Sequence, residues 1–144
     1  MKYPDHYDTD AATSKRMAHV KLKRGKAETI IAKALWIKGY RYRLNYRKLP
    51  GSPDIAIMKY HIAVFIDGEF WHGYDWDHRK PKLQRNRDYW IEKIEENIVR
   101  DKRNNDALFE MGWDVIRFWE KDVLHNQDLC IQRITSMIQL KSYE

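Results

Sequence analysis

Cysteine is nearly missing from this chain. Its 144 residues include one, Cys130, so it can form no internal disulfide and build no multi-cysteine zinc site. That usage is compatible with a reducing cytosol. Long apolar runs are also lacking: nothing approaches the roughly 20 residues a membrane helix needs. The opening stretch, MKYPDHYDTD, is polar and has no apolar segment of the kind a signal peptide carries, so none is expected and a cytoplasmic location is. There are no internal repeats and no linker, and the length suffices for one domain with a real core. Negative charge is in deficit. With 21 acidic residues against 27 Lys and Arg, the net charge is +6, which fits a polyanionic partner without identifying one.

Aromatic residues are plentiful, with 6 Trp and 9 Tyr, and such rings fill cores or stack on bases. The chain is organised around the stretch from Leu49 to His72. Two apolar runs, Asp54 to Met58 and His61 to Ile66, are rich in Ile, Val and Ala and bounded by turn residues, so both read as strands. The short connection between them predicts an antiparallel hairpin. Asp54 enters the first strand and Asp67 leaves the second, and a hairpin can bring those ends together. Paired carboxylates there can hold a divalent metal, because hard cations take oxygen ligands. Either Asp alone reads more simply as a turn residue; it is the pairing, with a His nearby, that points to chemistry. His72 follows on an aromatic loop.

Residues 1–12 have no periodicity and read as a flexible arm ahead of a folded domain over 13–144. Lys15, Arg16, Lys23 and Arg24 belong to a dense basic run, which is either a solvated helix face or a clamp on phosphates. Residues 27–38 read as a helix with Ile30, Ile31, Ala34, Leu35 and Ile37 as its apolar stripe and Gly39 as its stop. Glu28 points toward the side that helix buries, where a carboxylate needs a partner or a metal; in the first turn it also suits the helix N-terminus. Residues 40–46 alternate aromatic and basic side chains, the pattern of an edge strand. Gly73 to Arg87 reads as a long basic loop. A long helix is expected over 88–111, with Asp88 as N-cap and Ile91, Ile94, Ile98 and Leu108 as its core stripe. Asp101 occupies a slot on that stripe, flanked by Trp90 and Asn97. A strand over 113–119 and a closing helix over 120–140 complete the order, the latter with Leu124, Leu129, Ile134, Ile138 and Leu140 on its apolar side.

Pro53-Asp54, followed by Val64-Phe65-Ile66-Asp67-Gly68-Glu69-Phe70-Trp71-His72, resembles the very short patch repair (Vsr) endonucleases, within the restriction-endonuclease-like PD-(D/E)xK group. The run from Thr13 to Met17, and that from Trp90 through Asn97 to Asp101, extend the likeness over most of the chain. The resemblance implies an α/β fold, a single domain with a mixed β-sheet flanked by helices. It implies a DNA repair endonuclease that uses Mg²⁺, with Mn²⁺ as a substitute, to nick double-stranded DNA near a T:G mismatch, acting as a monomer at the nucleoid. Carried over residue by residue, the catalytic group is Glu28, Asp54, His72 and Asp101. Asp54 and the main-chain carbonyl of Ile66 would bind the metal, His72 would move the proton, Asp101 would hold the imidazole, and Glu28 would complete the acidic cluster through water. Lys15, Arg16, Lys23 and Arg24 would clamp DNA. Phe70, Trp71 and Trp90 would wedge into the duplex, and Asn97 would meet the mismatch.

The chain departs from that pattern at two places. Vsr proteins carry Thr-His where Ile66-Asp67 stands, and Asp67 is a better metal ligand than proton carrier, so it is expected to bind a second metal or orient water. Glu69 stands where the wider group has its motif lysine and where Vsr proteins have a zinc-binding cysteine, so no structural zinc is expected. These departures keep two alternatives open: a homing or restriction-type nuclease with another target, and a non-catalytic DNA-binding module.

Overall fold

The strand β3 (Ile62–Asp67) is buried along its whole length, as a run of Ile, Ala, Val and Phe that turns polar only at its last residue requires. The computed structural model describes residues 25–84 and 86–142. On one side of β3, β2 (Ile55–Ile57) pairs antiparallel to close the expected hairpin; on the other, β4 (Asp114–Trp119) pairs parallel. β1 (Arg43–Leu44) lies outside β2, so the order is β1-β2-β3-β4. The helices are α1 (25–37), α2 (Trp76–Arg79), α3 (Arg87–Glu110), α4 (Glu120–His125) and α5 (Gln127–Ser142). A 3₁₀ turn, Lys80–Lys82, follows α2. The mixed sheet flanked by helices is the α/β architecture that the restriction-endonuclease-like resemblance implied.

The pleat of β3 divides the core in two. Ile62, Val64 and Ile66 share one face with Ile55, Ile57, Ile116 and Phe118, and Ile31 and Leu35 of α1, Val123 of α4 and Ile134 and Ile138 of α5 cover them. Ala63 and Phe65 share the other with Ala56, under Leu108 of α3 and beside Leu49 and Trp113. The register sets Val64 against Ile55 on one side and Ile116 on the other.

Several expected elements change in detail. β1 spans two residues rather than seven, because Asn45 turns to a positive φ of 47° directly after it. Ile37 is 82% exposed, since the buried stripe of α1 is Ala27, Ile31 and Leu35 and a residue two past Leu35 is about 200° round the helix. Asp88 lies in the first turn of α3, and Asn86, in the left-handed region, takes the N-cap position. Part of the expected loop is helical, as α2 and the 3₁₀ turn. The closing helix is broken at Asn126 into α4 and α5. The break resets the helical phase, so Cys130, Ile134 and Ile138 face inward while Leu129 and Leu140 face out.

Ile116 is fully buried opposite Val64. Ile116→Ala should lower stability by about 2–5 kcal/mol in urea unfolding, and a loss under about 1 kcal/mol would contradict this packing.

Candidate active site

The same pleat gathers the polar groups. Asp54 precedes β2 and alternates with Ile55, which puts it on the Ala56 face, level with Phe65. Asp67 ends β3 on that face. Arg117 of β4, paired in register with Phe65, points the same way, and its guanidinium lies 4.0 Å from the centre of the Phe65 ring. α3 crosses this face and brings Asp101; the loop after β3 brings His72. All five residues line one small cleft with Gly51, Ser52, Arg100 and Asn104.

Within the cleft Asp54 is 1% exposed, and its Oδ2 accepts the Ile66 N–H at 2.6 Å across the hairpin. His72 Nδ1 lies 2.6 Å from Asp101 Oδ2. An ionised carboxylate can only accept, so Nδ1 carries the hydrogen and, in the neutral ring, Nε2 keeps its lone pair for a proton. Asp67 Oδ1 is farther from Nδ1, at 3.8 Å. Arg117 Nη1 donates to both oxygens of Asp67 at 3.1 and 3.0 Å, while its Nε donates to Asn105 Oδ1 at 2.7 Å. Asp67, His72 and Asp101 each offer one ligand atom, and these atoms lie within 4.8 Å of one another. Such spacing, with mostly oxygen donors, is that of a cation site.

The model of the DNA mismatch endonuclease Vsr family matches residues 4–78. The type II nicking enzyme V.HpaIIP of Haemophilus parainfluenzae is 53% identical over 111 residues, covering 77% of this chain and 79% of that protein. The chain belongs to the Vsr family. It is a DNA endonuclease. V.NmeDIP of Neisseria meningitidis serogroup C, another type II nicking enzyme, is 44% identical over 133 residues, 92% of this chain and 90% of its own. The DNA mismatch endonuclease Vsr of Escherichia coli (strain K12) is 30% identical over 129 residues, 90% and 82% of the two chains.

In this Vsr-family chain, three of the four expected catalytic side chains, Asp54, His72 and Asp101, share the cleft. Glu28 does not line it. It lies beside the Ala27–Ile31 stripe and lines a groove between α1 and β1 with Trp36, Tyr42 and Leu44. Lys15, Arg16, Lys23 and Arg24 lie outside the described residues. Phe70, Trp71 and Trp90 pack edge to face as one block, with ring centres 5.3 to 5.4 Å apart. Asn97 donates to the Trp71 carbonyl at 2.9 Å. Glu69 Oε1 accepts the Lys121 N–H at 2.8 Å, capping the start of α4. Arg117 was not among the residues expected from sequence. Its signal was a lone cation inside the apolar strand DVIRFW. No described helix is long and apolar enough to cross a membrane.

The His72 loop is clamped at Gly73, whose φ is +73°; a Cβ there would collide with the Ile98 side chain of α3. Gly73→Ala should therefore cost about 1–3 kcal/mol of stability in chemical unfolding and reduce nicking; wild-type stability would show that the clamp is absent. α2 and the 3₁₀ turn are tied to α3 by Glu95 Oε2, which accepts from Lys80 Nζ at 2.8 Å and Trp76 Nε1 at 2.9 Å. The Lys80 and then the Trp76 hydrogen bond lower the Glu95 pKa. The tie is thus complete above the ordinary Glu range and is lost as pH falls through the lowered folded value. The NMR chemical shift of the Trp76 indole N–H should therefore move as Glu95 titrates, with a midpoint below the ordinary Glu value, and that step should be absent in Glu95→Gln; a wild-type shift with no such step would refute the tie.

Proposed function

We propose that this endonuclease nicks one strand of double-stranded DNA beside a T:G mismatch by Mg²⁺-dependent hydrolysis. The observation that carries the reading is the 2.6 Å contact between His72 and Asp101 inside the cleft that holds Asp54. Asp101 fixes the imidazole tautomer, so Nε2 can take a proton from the attacking water, and the carboxylate stabilises the imidazolium that results. Asp54 and the main-chain carbonyl of Ile66 supply hard oxygen ligands for the metal. Bound there, Mg²⁺ or Mn²⁺ would offset the negative charge that builds on the phosphate. Glu28 is assigned no step.

The block of Phe70, Trp71 and Trp90 is the wedge that opens the stack at the mismatch, and Asn97 steadies it through the Trp71 carbonyl. Lys15, Arg16, Lys23 and Arg24 hold phosphates, and one copy acts on the duplex, at the nucleoid in the cytoplasm. Nicking and mismatch recognition both appear in the names of the relatives: V.HpaIIP and V.NmeDIP are called nicking enzymes, and the Escherichia coli protein a mismatch endonuclease.

The test is a labelled duplex, either fully paired or carrying one T:G mismatch, with Mg²⁺. Mismatch-dependent nicking is expected. Asp54→Ala and His72→Ala should reduce it by at least about 10²-fold while DNA binding persists, and Asp101→Asn by about 10–100-fold. Wild-type rates in either alanine variant would reject the site. Equal cutting of both duplexes would reject mismatch specificity and leave a nuclease with another target.

A further inference from the structure

Arg117 takes no part in the reaction just described, yet it lines the cleft. The three ligand atoms of Asp67, His72 and Asp101 have the spacing of a cation site. A cation is already beside them. The Arg117 guanidinium contacts both oxygens of Asp67 and comes within 3.7 Å of Asp101 Oδ1. It is held from behind as well, by Asn105 Oδ1 at 2.7 Å and by the face of Phe65. These contacts fix its position without any metal. A guanidinium does not lose its proton in a protein, so the charge is permanent.

We propose that Arg117 is a positioning residue whose guanidinium takes the place of a second divalent cation, leaving Asp54 to hold the only metal. The inference rests on the reading of Asp54 as a metal ligand. Asp67 is 6% exposed, and a carboxylate so buried needs a partner. Arg117 satisfies it and repels a dication from the same spot. The arrangement also decides the partner of His72. One Nδ1–H makes one short hydrogen bond, and with Asp67 engaged by Arg117 that bond goes to Asp101 at 2.6 Å rather than to Asp67 at 3.8 Å. The chain thereby gives Asp67 a use other than metal binding.

The test counts Mn²⁺ bound to the full chain, by electron paramagnetic resonance of the free ion, with folding checked by circular dichroism. Asp67→Asn should bind as many ions as wild type. Arg117→Met should bind one additional Mn²⁺ per chain, and Arg117→Met combined with Asp67→Asn should return to the wild-type count. Loss of a wild-type ion in Asp67→Asn overturns the proposal, as does an unchanged count in folded Arg117→Met. Should Arg117→Met fail to fold, Arg117→Gln, which also removes the charge, takes its place in both the single and the double variant. Asp54→Asn, run alongside, should lose the wild-type ion. If it does not, the metal site assigned to Asp54 is wrong, whereas the role of Arg117 is read from the difference between its single and double variants.

Discussion

The ion pair between Asp67 and Arg117 joins three elements at one point. Asp67 ends β3, Arg117 belongs to β4, and Arg117 Nε reaches Asn105 on α3. Asn105 lies four residues after Asp101, so the two share one face of that helix. The level at which α3 crosses the sheet is therefore tied to the level at which Asp101 meets His72. A buried carboxylate must be met somewhere, and here the group that meets it also sets the depth of the site.

The pair is poorly suited to be the main source of stability. Both side chains are largely buried, with 9% and 18% of their surface exposed, and desolvation offsets much of the attraction between such charges. Stability comes instead from the Ile and Val layer on the opposite face, packed against α1, α4 and α5. What the pair contributes is register. Sliding β4 by one residue against β3 would send Arg117 to the apolar face and leave Asp67 uncompensated. The parallel pairing of Phe65 with Arg117 is thus specified by charge as well as by shape.

The hairpin, the long helix and the last strand were legible in the sequence because local rules decide them. β-Branched runs bounded by turn residues mark β2 and β3, and an apolar stripe closed by Gly112 marks α3. That Asp54, His72 and Asp101 come to one cleft could be expected from the family motif, which named all three. The misses depend on contacts far apart in sequence. α2 and its 3₁₀ turn are held by Glu95, at least 15 residues away. The 120–140 segment reads as one helix until Asn126 changes the phase, and only the sheet face beneath shows which residues then turn inward. Arg117 stands alone as a cation inside its strand, but its partner Asp67 is 50 residues away and only the pairing of β3 with β4 brings the two together. Glu28 was placed by its neighbours on α1, but a position on the flank of a stripe does not reach the cleft that the sheet builds elsewhere.

The residues proposed for recognition and those proposed for chemistry share one mount in this fold. The turn from Gly68 to Gly73 carries Phe70 and Trp71 of the proposed wedge and also His72. α3 grips that turn in three places: Asn97 at the Trp71 carbonyl, Ile98 packed beneath Gly73, and Asp101 at the imidazole. Residues 97, 98 and 101 fall on one side of a helix, so the grip is a single rigid surface. Trp90, nearer the start of the same helix, completes the aromatic block. On the proposed reading of these rings as a wedge, a duplex that pushed on them would push on the same turn that carries His72, and α3 would have to resist it. Because α3 is anchored to the sheet through Leu108 and through Asn105 with Arg117, the helix that holds the imidazole through Asp101 is itself fixed to the core, and the turn it grips inherits that fixed position.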